Sequence, residues 1–210
     1  LEYRFHWVDG HCNSHLQNKE EDYVRGFAFQ GGASRAGWQH GNYMEGIGPE
    51  FKDRLRKPGP WHVDLSGYGE CLPYYDNKVE LHPELKDEWG MPLLHISCEL
   101  KENEKKIMKA MKEHGAEMLR KAGATDIWHT EPEDWIFGDG IHEMGTARMG
   151  KDPKTSVLNK WNACHDVPNL FVTDGSFMTS SACQNPSLTY MAFTARAANY
   201  AIEQMEKGIL

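Results

Sequence analysis

Positive charge is in short supply in this chain, and so are the signatures of metal chelation, phosphate cradling and membrane insertion. Lys and Arg number 23 against 31 Asp and Glu, a net charge of −8. The chain therefore lacks the positive field that binding a phosphate backbone demands, and nucleic acid is excluded as a partner. No apolar stretch approaches the roughly 18 residues of a membrane span, and no basic segment leading into an apolar one marks a secretory leader. Compartment stays open. The five cysteines, Cys12, Cys71, Cys98, Cys164 and Cys183, are odd in number, widely spaced and free of any Cys-x-x-Cys pair. That pattern speaks against a disulfide framework and against a zinc site, and small buried residues are expected instead. His142-Glu143 does not begin a zinc-protease motif, because position 146 is Thr where a second His is required. His11, Cys12 and His15 carry ligand-type side chains close together, but so near a chain end they read as a solvated turn, and no metal is expected. The Gly-x-Gly-x-x-Gly turn of dinucleotide-binding folds is missing: Gly46-Ile47-Gly48 and Gly138-Asp139-Gly140 both lack the third glycine. Internal repeats and low-complexity segments are absent as well.

What is present suits a packed globular chain. With 40% hydrophobic residues over 210 positions, there is material for one domain, or a domain with a lobe. The first half reads as strands and loops. Tyr23 to Phe29 alternates and is β-rich until Gly31-Gly32-Ala33-Ser34 breaks it; Lys78 to Leu81 and Leu93 to Ser97 are further strands, bounded by Pro73, Pro83 and Pro92. Glu102 to Ala122 is amphipathic at helical spacing. Ile107, Met108, Met111, Met118 and Leu119 make its apolar face, Arg120 and Lys121 suit its C-terminus, and Gly123 stops it.

The last third is the most informative. A Gly- and Met-rich loop, His142-Glu143-Met144-Gly145-Thr146-Ala147-Arg148-Met149-Gly150, precedes Asn169-Leu170-Phe171-Val172-Thr173-Asp174-Gly175-Ser176, and then comes Asn185-Pro186. Leu170-Phe171-Val172 reads as a short buried strand that delivers the turn Asp174-Gly175 at its carboxyl end, where open α/β sheets place their ligands. Asn185-Pro186 reads as a helix start, with Asn as cap and Pro in the first turn. The stripe Leu188, Met191, Ala195, Ala198, Ile202 and Met205 then runs at helical spacing to a stop at Gly208. The positive end of that helix would favour an anionic group. His142 and Asn185 each sit where a turn can aim a side chain into a cleft, and they form a candidate catalytic pair.

These motifs carry a resemblance. His-x-x-Gly-Thr-x-x-Met-Gly, then Asn-Leu-Phe-Val-x-Asp-Gly-Ser, then Asn-Pro-Ser-Leu-Thr opening a terminal helix, resembles the C-terminal region of the glucose–methanol–choline (GMC) family of FAD-dependent alcohol oxidoreductases. Glu70-Cys71-Leu72-Pro73, Asn77 to Pro83 and Lys86 to Pro92 resemble the start of the same region, so the likeness runs from about residue 70 to about residue 205. The resemblance implies an α+β fold. In it, residues 1–140 form antiparallel strands of a substrate-binding domain backed by helices. Residues 141–210 bring a catalytic loop, a terminal strand and a helix that complete an FAD-binding, Rossmann-like domain supplied by upstream sequence. It further implies that His142 is the general base and Asn185 its partner, the His–Asn form that resembles pyranose-oxidising members. Imidazole, with an ordinary pKa of about 6.5, suits removal of a hydroxyl proton near neutral pH. Asp174, Gly175, Asn185, Pro186 and Ser187 are the implied FAD contacts. The implied partners are an alcohol or sugar substrate, the FAD-binding domain and an electron acceptor. Because the dinucleotide turn is lacking, this 210-residue chain is expected to be part of a longer enzyme and inactive by itself.

Seven tryptophans and eight tyrosines also allow a sugar platform, with Trp38, Trp61, Trp128 and Trp135 as candidates. The alternative of another class is a non-catalytic carbohydrate-binding or interaction module. It gives no reason for Asp174-Gly175 and Asn185-Pro186 to occur in that order.

Overall fold

The computed structural model describes residues 22–35, 37–131, 137, 138 and 140–210, together with the backbone of Tyr3–Trp7. Among the described residues five strands, β1 (Tyr3–Trp7), β2 (Phe27–Arg35), β3 (Trp61–Gly69), β4 (Lys78–Lys86) and β5 (Pro92–Ser97), occur with three α-helices, α1 (Pro49–Leu55), α2 (Glu102–Lys121) and α3 (Ser187–Glu206). The fold class is α+β, and every strand pairing is antiparallel. The chain falls into two compact units, one of residues 1–69 with 106–130, the other of residues 70–105 with 131–210. His11, Cys12, His15 and Trp135 lie outside the described residues.

In the first unit β2 is the central strand of a three-stranded sheet, paired from Phe27↔Gly69 to Arg35↔Trp61 with β3 and from Trp7↔Phe29 to Tyr3↔Ala33 with β1. Phe27 and Phe29, two residues apart, point to one face and pack with Ile107, Ala110, Met111 and Met118 of α2 and with Leu65 of β3. Each fully buried side chain of this kind contributes roughly 1.5–3 kcal/mol. The strand continues through Gly31-Gly32, contrary to the break expected there. A Cβ at Gly31 would collide with the Asp64 carbonyl oxygen of β3, so glycine here permits close pairing instead of ending the strand. A short helix, α1, was also not expected; it begins on Pro49, whose fixed φ suits a first helical position.

In the second unit β4 and β5 form a two-stranded sheet. β4 passes Pro83, where a boundary was expected, at the expense of its regularity. The register slips between Leu81 and Lys86, and His82 Nδ1 accepts the N–H groups of Glu84 (3.2 Å) and Leu85 (3.0 Å) that the ladder leaves free. The first turn of α2 is fixed by Glu104. Its carboxylate accepts the Lys101 N–H at 3.2 Å, the reciprocal half of a capping box, and the Leu72 N–H at 3.0 Å. Burial raises the pKa of this carboxyl, but the hydrogen bonds, the one from Leu72 foremost, outweigh it and leave the pKa below its ordinary value.

Residues 170–172 are not a strand. Leu170 is half exposed, and Phe171 makes only an isolated bridge with Ala163. The segment is held by single bonds to a neighbouring loop, Cys164 N–H to Leu170 O (2.8 Å) and Val172 N–H to Asn162 O (3.0 Å). The turn at Asp174 begins before a ladder can extend. α3 runs as expected to Gly208, which takes the left-handed φ of +66°. Its cap differs: Pro186 is the N-cap and makes no side-chain bond, so Asn185 does not cap the helix. The cysteine expectation is corrected too. Cys183 is disulfide-bonded, while Cys71, Cys98 and Cys164 are free and Cys71 is exposed.

Candidate active site

The loop carrying His142 opens on a tight turn in which Glu143 Oε1 accepts the Gly140 N–H at 2.6 Å. Ile141, immediately before His142, holds φ at +59°. A β-branched residue in the left-handed region is disfavoured by roughly 1–3 kcal/mol, and strain of this kind concentrates at functional sites. The His142 imidazole is half-buried and makes no hydrogen bond, ion pair or ring contact among the described residues.

Past His142 the loop is tied to the Asp174 turn. Ala147 N–H donates to Ser176 O and Met149 N–H to Phe177 O, both at 2.9 Å. The turn is set by Asp174, whose Oδ1 accepts both the N–H and the hydroxyl of Ser176, starting a 3-10 turn over Gly175–Phe177. Gly175 is required by close approach, since a Cβ there would strike Met144 Sδ and the Tyr190 hydroxyl. Tyr190, in the first turn of α3, donates to Met144 Sδ at 3.4 Å. Burial first and the charge of Asp174 second push its phenol pKa upward, so it remains a donor. Phe177, 1% exposed, stacks on Phe193 of α3 at 4.7 Å.

The structure thus gathers the His142 loop, the Asp174-Gly175 turn and the start of α3 around Met144, Gly175 and Tyr190. Asn185 lies at the mouth of α3, exposed, with no side-chain hydrogen bond among the described residues. Pro186 is buried and Ser187 exposed. The N–H groups of Ser187, Leu188 and Thr189 have no acceptor among the described residues, and no acidic residue occupies the first turn. A helix end built so is suited to a negatively charged group.

One other cluster is excluded as a site. Ser156 Oγ lies 3.1 Å from His165 Nε2, but the hydroxyl donates to Asp152 O at 2.7 Å, so the imidazole is the donor of the pair and does not activate a nucleophile. Among the described residues no group of three or more His, Cys, Asp or Glu side chains could hold a metal. The side chains that brace the site, Asn162, Tyr190 and Arg196, were not singled out from sequence. The signal nearest to them is Asn159-Lys160-Trp161-Asn162, a turn rich in residues that bond their own backbone.

Comparison with known proteins identifies the family. A family model described as GMC oxidoreductase matches residues 73–194, more than half of the chain. The 2-methyl-1,2-propanediol dehydrogenase of Mycolicibacterium austroafricanum is 34% identical, over 85% of this chain and 33% of its own length. The fructose dehydrogenase large subunit of Gluconobacter japonicus is 29% identical, over 77% of this chain and 29% of its own. Paromamine 6'-oxidase of Streptomyces fradiae is 39% identical, over 60% of this chain and 23% of its own. The chain belongs to the GMC oxidoreductase family, matches its C-terminal region, and spans a third or less of the length of these relatives. No described helix is long and apolar enough to cross a membrane.

Proposed function

We propose that this chain forms the catalytic C-terminal part of an FAD-dependent oxidoreductase that oxidises a CH–OH group of a sugar, polyol or other alcohol. In this reading residues 1–140 contribute to substrate binding. Residues 141–210 supply the loop, turn and helix that pack on an FAD-binding region. One observation carries it: three motifs distant in sequence are tied together around Met144, Gly175 and Tyr190, while the His142 imidazole and the Asn185 amide have no partner among the described residues. Polar side chains kept free next to a rigid knot are available to a substrate. Relatives named for propanediol, fructose and paromamine support a hydroxyl-bearing substrate.

FAD, when bound, supplies the hydride acceptor. The chain's own residues handle the proton and the orientation. His142 takes the hydroxyl proton at an unprotonated ring nitrogen, a role worth roughly 10² to 10⁴ in rate. The Asn185 amide, which does not titrate, donates to the same oxygen from a second direction. The open end of α3 at Pro186 and Ser187 and the turn at Asp174-Gly175, where one carboxylate oxygen remains beyond the bond to Ser176, fit the polar and anionic parts of the cofactor. The apolar residues Leu188, Met191, Ile202 and Met205 of α3, all exposed, fit the FAD-binding region that would cover them.

In the enzyme assembled with its FAD-binding region, His142→Ala should lower turnover by roughly 10² or more with FAD retained, because a base acts on the proton and not on the cofactor. Unchanged alcohol-dependent flavin reduction in that variant would remove His142 as the base. The 210-residue chain alone should be colourless. Flavin absorbance at about 450 nm that survives dialysis would show that the FAD site is misassigned.

A second reading has one observation in its favour: Trp38, Trp61 and Trp128 of the first unit are 72%, 60% and 84% exposed, as a sugar-binding platform would have them. Sugar binding by the chain alone, unaltered by His142→Ala and lost on Trp61→Ala, would favour a binding module.

A further inference from the structure

The Asp174-Gly175 turn hangs on one residue that plays no part in the proposed chemistry. Asn162 is fully buried (0% exposed) and holds φ at +62°, a conformation that Asn tolerates better than most residues. All its polar groups are used. Its N–H donates to Asn159 O (3.1 Å), its carbonyl accepts the Val172 N–H (3.0 Å), and its Nδ2 donates to Val172 O (2.9 Å). One residue therefore bonds both the N–H and the C=O of Val172, doing alone what a strand ladder does with several, and doing so where residues 170–172 form no strand.

The remaining atom, Oδ1, accepts from Arg196 Nη2 of α3 at 3.3 Å, and the same nitrogen donates to Lys160 O at 2.6 Å. Arg196 is itself braced over the Phe193 ring at 4.3 Å, while Trp161 stacks on Tyr200 at 4.7 Å with the rings 5° from parallel. The Asn159–Asn162 turn is thus clamped to α3. Val172 stands two residues before Asp174, and Ser176 and Phe177 carry the bonds to Ala147 and Met149 of the His142 loop. Hydrogen bonds run from α3 through Arg196 and Asn162 to Val172, two residues of chain join Val172 to the Asp174 turn, and further hydrogen bonds join that turn to the loop of the base.

We propose that Asn162 is a positioning residue: its buried amide, anchored to α3 by Arg196, sets where the Asp174-Gly175 turn and the His142 loop stand relative to Asn185 at the head of α3. This rests on the function proposed above. Neighbouring residue types do not replace it. Glycine accepts the φ but has no amide. Aspartate keeps an acceptor for Arg196 but presents an oxygen to Val172 O in place of a donor.

The test uses Asn162→Gly and Asn162→Asp, with Arg196→Met as a milder variant that leaves Asn162 in place and removes the guanidinium with its bonds to Asn162 Oδ1 and Lys160 O and its contact over Phe193. In the 210-residue chain, amide hydrogen exchange should accelerate by about tenfold at Val172, Ala147 and Met149, with the N–H groups of α2 unaffected. Acceleration confined to Val172, or none, would overturn the proposal. In the flavin-loaded enzyme kcat should fall by roughly tenfold to a hundredfold with KM little changed, since a displacement near 1 Å at a reacting group has an effect of that order. A lowered melting temperature with kcat and the flavin spectrum unchanged would make Asn162 merely structural and the proposal wrong. If Asn162→Gly and Asn162→Asp do not fold, Arg196→Met gives the same decision at a smaller amplitude. Normal kcat in the Asn162 and Arg196 variants beside a severely impaired His142→Ala refutes the positioning role and leaves the catalytic reading standing. Normal kcat in all of them refutes both.

Discussion

Within the second unit, the β4–β5 hairpin and the segment from Gly145 to Phe177 are built on opposite plans. The hairpin ladder is regular from Lys78 to Leu81, with Val79 opposite Ile96 and Leu81 opposite Leu94, yet these four side chains on one face are exposed, Leu81 to 64% and Leu94 to 67%. Gly145 to Phe177 has only isolated bridges and one 3-10 turn, yet it contains Leu158, Asn162 and Phe177, the largest fully buried side chains described. Regular backbone pairing and a packed core are separate achievements. A lone two-stranded hairpin is marginal in water, whereas the irregular segment is locked by side-chain amides and carboxylates bonded to backbone and by Phe177 against Phe193. The proposed chemistry sits on the second plan, where precise placement is available without a sheet.

The contrast can be broken by truncating each part. Phe177→Ala should destabilise the chain by about 3–5 kcal/mol, the usual loss for a buried aromatic, read as a shift in the denaturant midpoint. A change below about 1 kcal/mol would mean that the segment is not the core described here.

A smaller effect is expected at Glu104→Gln. Glu104 is 3% exposed and joins the Leu72 loop to the start of α2 through two backbone N–H groups, so weakening it should remove about 1–3 kcal/mol at neutral pH. Its pKa is lowered in the folded chain, so this stabilisation is present above the unfolded value of about 4.3 and is lost as pH falls through the lower folded value. Urea titrations of wild type and Glu104→Gln should therefore converge on the acid side. A gap that widens below pH of about 4 would reverse the assigned sign.

The least effect belongs to the hairpin. Leu81→Ser or Leu94→Ser should change the stability of the chain alone by no more than about 0.5 kcal/mol. A loss of 2 kcal/mol or so would show that this apolar face is already buried in solution, against another copy or otherwise. A related check uses Cys71, which is exposed as a residue although its thiol is turned from solvent and is pushed up to about 11 by that local burial first and the charge of Glu104 second. Alkylation at neutral pH should be slow and should accelerate with pH as the thiolate forms.

The same contrast explains what could be read from the chain before its structure. α2 and α3 were legible because one apolar stripe and one stop glycine, Gly123 or Gly208, are local features. The turn at Asp174-Gly175 was legible because Asp bonds its own backbone two residues on. The passage of β2 through Gly31-Gly32 was not, since the role of glycine there depends on the Asp64 carbonyl more than thirty residues away in sequence. The loss of the strand at 170–172 and the bonds of Asn162 were equally hidden, because Val172 and Arg196, its partners, lie 10 and 34 residues from it. The motifs named the loop, the turn and the helix of the candidate site, but the bonds that hold them together are long-range and leave no periodic trace.

The most direct test is the separation of the two side chains assigned to the substrate oxygen, measured in a structure of the flavin-loaded enzyme with a non-reactive alcohol bound. His142 and Asn185 should lie within about 5 Å of one another and contact the same hydroxyl, because both must reach one oxygen for proton removal to accompany loss of hydride. His142 and Asn185 on opposite faces of the fold, or an alcohol held by neither, would contradict the catalytic assignment.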